Sequence, residues 1–242
     1  MRIQLDNDTA RKETQLKLAG SWDFFTQEAY KVLRTNLQFC GQDVHVVSIT
    51  SCHENEGKTT IALNLGKSLA ELDKRVLVID ADMRKSVMVG RHSSEKHVTG
   101  LSEVLSGLAA VEDSLYATQY HNLHIMFAGQ YPPNPVELLS SPRFDTLLAD
   151  MRTRYDYILL DMPPLGQVID AAVVAPKCDG TMLVLDTGTV RYRQAQDVID
   201  QLNMSGGKIL GVVRNNVSRG KSRYSAGKYY GKSKYYGRGS KQ

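Results

Sequence analysis

Six short apolar runs constrain this chain more than any other feature: VHVVSIT (44–50), RVLVID (75–80), LHIMFA (123–128), YILLD (157–161), TMLVLD (181–186) and ILGVV (209–213). They are rich in Val, Ile and Leu and continuous rather than alternating, as expected of strands covered on both faces. Helical patterns lie between them, near residues 58–72, 101–106, 141–153, 169–176 and 190–203. Repeated strand–helix alternation predicts right-handed crossovers and an α/β fold, a doubly wound and mostly parallel sheet. Ligands of such sheets bind at the carboxyl ends of the strands. One further helix, FFTQEAYKVLRTNLQF (24–39), precedes the first strand and stands outside the alternating core.

A chain of 242 residues suffices for one large α/β domain. No apolar run approaches the roughly 18–20 residues that span a bilayer. The stretch MRIQLDNDTARKETQ at the start has no continuous apolar segment, so it does not read as a secretory signal. Cys40, Cys52 and Cys178 have no C-x-x-C spacing, and the six histidines show no metal-ligand spacing. A cytoplasmic protein is expected.

Charge divides the chain. Residues 218–242 hold eight Lys or Arg and no acid; the remainder keeps 22 basic against 26 acidic residues. This segment has five Tyr, five Gly and five Ser, and no aliphatic side chain larger than Ala226. Such a composition buries too little apolar surface to offset ordering entropy, which predicts a tail disordered when free. Composition leaves two uses open. Exposed tyrosines on a flexible chain suit phosphorylation in trans, and each phosphate brings about −1.5 to −2 charges. Lys and Arg interleaved with Tyr equally suit nucleic acid or lipid phosphates.

The stretch SCHENEGKTT (51–60) joins the first apolar run to a helix. That is the setting of a G-x-x-x-x-G-K-[ST] phosphate loop, although Cys52 stands at the first glycine position. Backbone N–H groups of residues 54–60, through Asn55, Glu56, Gly57 and Thr60, would wrap phosphate oxygens at the helix N-terminus. Lys58 would bridge the β- and γ-phosphates, and the Thr59 hydroxyl would ligate Mg²⁺. Asn55 tolerates a left-handed backbone better than most residues. Two later strands end in carboxylates, Asp80 and Asp82 in VLVIDADMR and Asp161 in YILLD. Three carboxylates near a phosphate loop can hold hydrated Mg²⁺ and leave one to accept a proton.

Together the segments EAYKVLRTNLQF, SCHENEGKTT, VLVIDADMR, TGLSEVLSG, PPNPVELLSS and YDYILLDMPPLGQVIDA, with the terminal tyrosines, resemble the bacterial tyrosine autokinases of capsule and exopolysaccharide synthesis. The form is the stand-alone kinase, whose transmembrane activator, a polysaccharide co-polymerase, is a separate chain. The resemblance implies ATP and Mg²⁺ as cofactors, with Lys58, Thr59 and Thr60 on the phosphates. Asp82 and Asp161 would organise the metal, and Asp80 would be the base toward tyrosine. The acceptors would be Tyr224, Tyr229, Tyr230, Tyr235 and Tyr236 of a neighbouring subunit. Rings in this family form through an E-x-x-R-x-x-R helix, matched here by Glu28, Lys31 and Arg34. Sugar-nucleotide enzymes as substrates, a cognate tyrosine phosphatase, and a place at the inner membrane face through the activator are further implications; no nucleic acid is. The division expected is 1–40 as oligomerisation segment, 41–217 as kinase domain and 218–242 as tail.

This chain departs from the family in four places. Lys31 replaces Arg, keeping the charge but losing bidentate geometry. Glu54 and Asn55 replace a Pro-Gly pair, and MRKSVMV lacks a proline after its two basic residues. Arg214 replaces an apolar residue beside Asn215, a candidate for a base contact. These changes predict a slow or partner-dependent enzyme. The competing class is a partitioning or division-type ATPase, whose hydrolysis switches dimerisation and membrane or DNA binding. Those proteins usually carry a second lysine early in the loop, and residues 51–56 contain none.

Overall fold

Each of the six apolar runs forms a strand. The computed structural model describes residues 22–92 and 98–217. Its strands are β1 (Val46–Ser51), β2 (Val76–Asp80), β3 (Tyr116–Ala117), β4 (Leu123–Met126), β5 (Tyr157–Asp161), β6 (Gly180–Asp186) and β7 (Ile209–Asn215). They form one sheet in the order β3-β4-β2-β5-β1-β6-β7, parallel throughout except for β3, which runs antiparallel to β4. The fold is the doubly wound α/β sheet read from the sequence. The short β3 was not anticipated, because Tyr116 and Ala117 carry no apolar run of their own.

The helices are α1 (Phe24–Phe39), α2 (Lys58–Ala70), α3 (Met88–His92), α4 (Leu101–Ser106), α5 (Pro135–Ser140), α6 (Pro142–Arg154), α7 (Asp170–Val174) and α8 (Tyr192–Met204). Alternation within each strand feeds two cores. Leu77, Ile79, Ile158 and Leu160 face one core, with Phe144 of α6 and Val198 of α8. Val76, Val78, Leu159 and Val184 face the other, with Ile61, Leu65 and Leu69 of α2. Continuous apolar strands are thus the signature of burial on both sides.

Helix α2 is buried on nearly all sides because α1 packs over its outer face. Leu37 of α1 reaches the second core. Arg34 donates to the Ser68 carbonyl oxygen at 2.7 Å, and the Lys67 ammonium lies 3.8 Å from the Trp22 ring centroid. Trp22 in turn stacks on Tyr30.

At the opposite end of the sheet from the strand carboxylates, Asp179 fastens three elements. Its carboxylate accepts from the His45 and Val46 N–H groups at 2.8 and 2.7 Å and from both terminal nitrogens of Arg152. Burial alone would raise its pKa, but the hydrogen bonds from Arg152 and the two N–H groups outweigh that and hold it below the ordinary value. A lowered carboxylate pKa stabilises the fold above the unfolded value and ceases to as pH falls through the folded one. Asp179→Asn is therefore expected to cost about 1–3 kcal/mol at neutral pH. That cost should shrink below roughly pH 4, the unfolded aspartate value. Urea unfolding at both pH values checks it.

Candidate active site

The loop between β1 and α2 closes without a glycine at residue 52, and Glu56 is the reason. Its side chain, 1% exposed, accepts from the N–H groups of Cys52 and His53 at 3.3 and 3.1 Å. Among the described residues the only non-glycine positions with positive φ are Asn55, Asp73 and Asn216. Cys52 therefore needs no left-handed backbone and can be any small residue. Asn55, at φ 63°, takes the left-handed conformation that its chemistry allows. The Cys52 thiol is fully buried and its pKa is pushed up to about 12, by burial first and then by Glu56. It is an inert, space-filling group.

Gly57 caps α2 at φ 92°. A Cβ there would lie 2.1 Å from Asn215 Nδ2, and that amide donates to the Glu56 carbonyl oxygen at 3.0 Å. Asn215, at the end of β7, thus locks the loop onto the sheet. Gly57→Ala combines left-handed strain of about 1–2 kcal/mol with this overlap. A lower melting temperature is expected in the nucleotide-free protein. An unchanged one would mean that Asn215 yields freely.

The strand-end carboxylates converge on this loop. Lys58 Nζ lies 3.3 Å from Asp82 Oδ2, with both side chains largely buried. Asp80 Oδ1 accepts from the Asp82 N–H at 3.2 Å, and Asp80 Oδ2 accepts from the Ser86 hydroxyl. The Asp161 Oδ1 oxygen is buried and has no hydrogen-bond partner. Burial, and then the charge of Asp161, raise the Asp80 pKa well above the ordinary value. Burial likewise raises Asp161 to about 6, although Lys58 and Thr59 pull it down. Burial opposes the charge of Lys58, but Asp161, Asp82 and Asp80 together raise its pKa. The lysine is a cation at any working pH.

An open cleft of about 540 Å³ lies above these groups. Asn55, Gly57, Lys58, Thr59, Thr60, Asp82 and Asn215 line it; Glu56, Asp80 and Asp161 stand behind that surface. No three His, Cys, Asp or Glu among the described residues form a metal cage. The donor set still fits Mg²⁺, which takes one or two carboxylates and fills its remaining positions with water and phosphate oxygens. The buried, unpartnered Asp161 Oδ1 is an acceptor that such a hydrated ion would satisfy.

Residues 44–190 match the AAA domain family. The tyrosine-protein kinase CpsD of Streptococcus pneumoniae is 40% identical over 205 residues, covering 85% of this chain and 90% of that one. The chain belongs to the bacterial tyrosine-protein kinase family. The kinase domain of the Escherichia coli tyrosine kinase Etk superposes on this kinase with a TM-score of 0.76 at 29% identity, over 89% of this chain and 88% of that one. The septum site-determining protein MinD of Pyrococcus horikoshii, complexed with Mg-ADP, gives a TM-score of 0.61 at 26% identity, over 74% and 72%. The kinase therefore shares its sheet with division ATPases, and its likeness to tyrosine kinases runs deeper.

Two further groups of residues were expected to take part. Tyr224, Tyr229, Tyr230, Tyr235 and Tyr236 fall outside the described residues. On α1, Glu28 pairs with Lys31 at 2.7 Å within the helix, and Arg34 turns inward to α2. Three polar contacts escaped the sequence reading: the Glu56 side chain, the Ser86 hydroxyl on Asp80, and the ion pair between Arg84 and Asp170. Only Glu56 had a local signal, an acid directly before Gly57-Lys58 in a loop short of glycine.

Proposed function

We propose that this chain is an ATP- and Mg²⁺-dependent tyrosine autokinase that phosphorylates the tyrosine cluster of its own tail in trans. The observation that carries the reading is the meeting of Lys58 with Asp82, Asp80 and Asp161 at a left-handed Asn55–Gly57 phosphate loop. Backbone N–H groups of Asn55 to Thr60 and the Lys58 ammonium hold the phosphates. Thr59, Asp82 and Asp161 would hold the metal, which when bound would neutralise phosphate charge. Asp80 takes the tyrosine hydroxyl proton as the tyrosine oxygen bonds to the γ-phosphorus and the bond to ADP breaks, ADP leaving with the electron pair. Ser86 donates to Asp80, and the acceptor hydroxyl would take its place on that carboxylate. Burial gives Asp80 the proton affinity that a base needs.

The α1 helix supports self-association. Phe25, Val32 and Phe39 are 62%, 58% and 83% exposed on it, alongside Glu28 and Lys31. In this reading residues 1–40 build a ring around kinase domain 41–217, each subunit presenting tail 218–242 to its neighbour. No helix among the described residues is long and apolar enough to cross a membrane. In this reading a transmembrane co-polymerase recruits the kinase to polysaccharide assembly. Sugar-nucleotide enzymes serve as further substrates, and a phosphatase resets the tail.

Incubation with γ-labelled ATP, Mg²⁺ and the cytoplasmic segment of the activator tests the reading. Label is expected on tail tyrosines. Phosphate released to water with unlabelled protein would establish a division-type ATPase instead.

A further inference from the structure

Arg84 and Asp170 are 86 residues apart in sequence and meet across one wall of the cleft. Asp170 opens α7 and is 1% exposed. Arg84 leaves the segment after β2 and lines the cleft. Its Nε donates to both Asp170 oxygens, at 3.0 and 3.1 Å. Among the described residues its two terminal nitrogens make no hydrogen bond, so donors remain on the guanidinium at the cleft. Of the other cations lining the cleft, Lys58 faces Asp82, Lys85 is tied to Glu54 at 2.6 Å, and Arg91, whose charge reaches Asp161, has no carboxylate ion pair holding it among the described residues. A carboxylate this deeply buried, with a single cationic partner, is not a stabilising device compared with an apolar pair. It makes physical sense as a holder for the arginine.

The position of Arg84 indicates its target. Gly57 to Thr60 would grip the phosphates from the α2 side. Arg84 stands two residues beyond Asp82 and lines the same cleft as Lys58 and Thr59. A guanidinium there meets a phosphoryl group whose charge spreads over three equatorial oxygens in transfer, and planar paired donors suit such oxygens better than an ammonium does.

Resting on the kinase reading above, we propose that Arg84 is a catalytic residue donating to the γ-phosphoryl group during transfer, with Asp170 as its positioning residue. The test compares Mg-ADP affinity with capture of Mg-ADP plus aluminium fluoride, a mimic of the phosphoryl group in flight. The measurement uses a fluorescent ADP analogue on the full chain. Arg84→Lys keeps a cation beside the buried carboxylate, and Asp170→Asn keeps its shape. Each variant is expected to bind ADP within about twofold of wild type and to weaken fluoride-complex capture about a hundredfold, the usual size for losing one oriented transition-state donor. The double variant should be no worse than Arg84→Lys alone, because both remove one device.

Equal losses for ADP and for the fluoride complex would overturn the proposal in favour of a structural wall. Wild-type capture in Asp170→Asn, or additive losses in the double variant, would also overturn it. If wild-type protein neither captures the complex nor labels tyrosine, the kinase reading itself fails and this inference goes with it.

Discussion

Lys58→Met is expected to lower tyrosine autophosphorylation by about a thousandfold, the upper range for removing one preorganised charge from a phosphoryl-transfer site. Lys58 is a fixed cation at the junction of the phosphate loop with Asp82, Asp161 and Asp80, and its side chain is 12% exposed. Water therefore screens it poorly, and its interaction with a developing phosphate charge is correspondingly strong. Methionine preserves length and packing while removing the charge. The variant should keep wild-type circular dichroism and lose rate, measured as phosphotyrosine formed per minute. A fall below tenfold would mean that the loop N–H groups carry the phosphates without the lysine.

Asp80→Asn carries the second large effect, a fall of about a hundredfold to ten-thousandfold in turnover, as expected for losing a general base. Asparagine matches aspartate in shape, and its carbonyl oxygen can still accept from either the Asp82 N–H or Ser86. It cannot take a proton. ATP affinity should change by less than about threefold, since Asp80 stands behind the cleft surface. This split between turnover and affinity separates a base from a phosphate-binding group. If the variant loses affinity and keeps turnover, Asp80 belongs to the nucleotide site and another group takes the proton.

The fold was legible because its determinants are local. Each buried parallel strand is a continuous apolar run, and the phosphate loop, its helix and the aspartates VLVIDAD and YILLD are readable where they stand. Strand β3 was not, since two residues at a sheet edge need no pattern. Neither were α3 and α5, of five and six residues. Within the site, the residue types and their neighbourhood could be read, but not the side-chain pairings. Nothing near Arg84 announces Asp170, and Asn215 closes the loop onto Glu56 only because β7 lies beyond β6 at the sheet edge. The apparent damage at Cys52 was a matter of backbone geometry. The glycine pattern is one way to make the turn, and a buried glutamate accepting two N–H groups is another.

The most direct measurement mixes two forms of the chain. One carries Lys58→Met with an intact tail; the other keeps Lys58 and has Phe at positions 224, 229, 230, 235 and 236. Both are incubated with Mg-ATP and the activator segment, and each is weighed by intact mass spectrometry. Phosphate is expected on the tail of the Lys58→Met chain, in steps of one to five, and on neither tail when the forms are incubated apart. Turnover of ATP to ADP in the mixture with no mass added to either chain would contradict a kinase acting on its neighbour's tail.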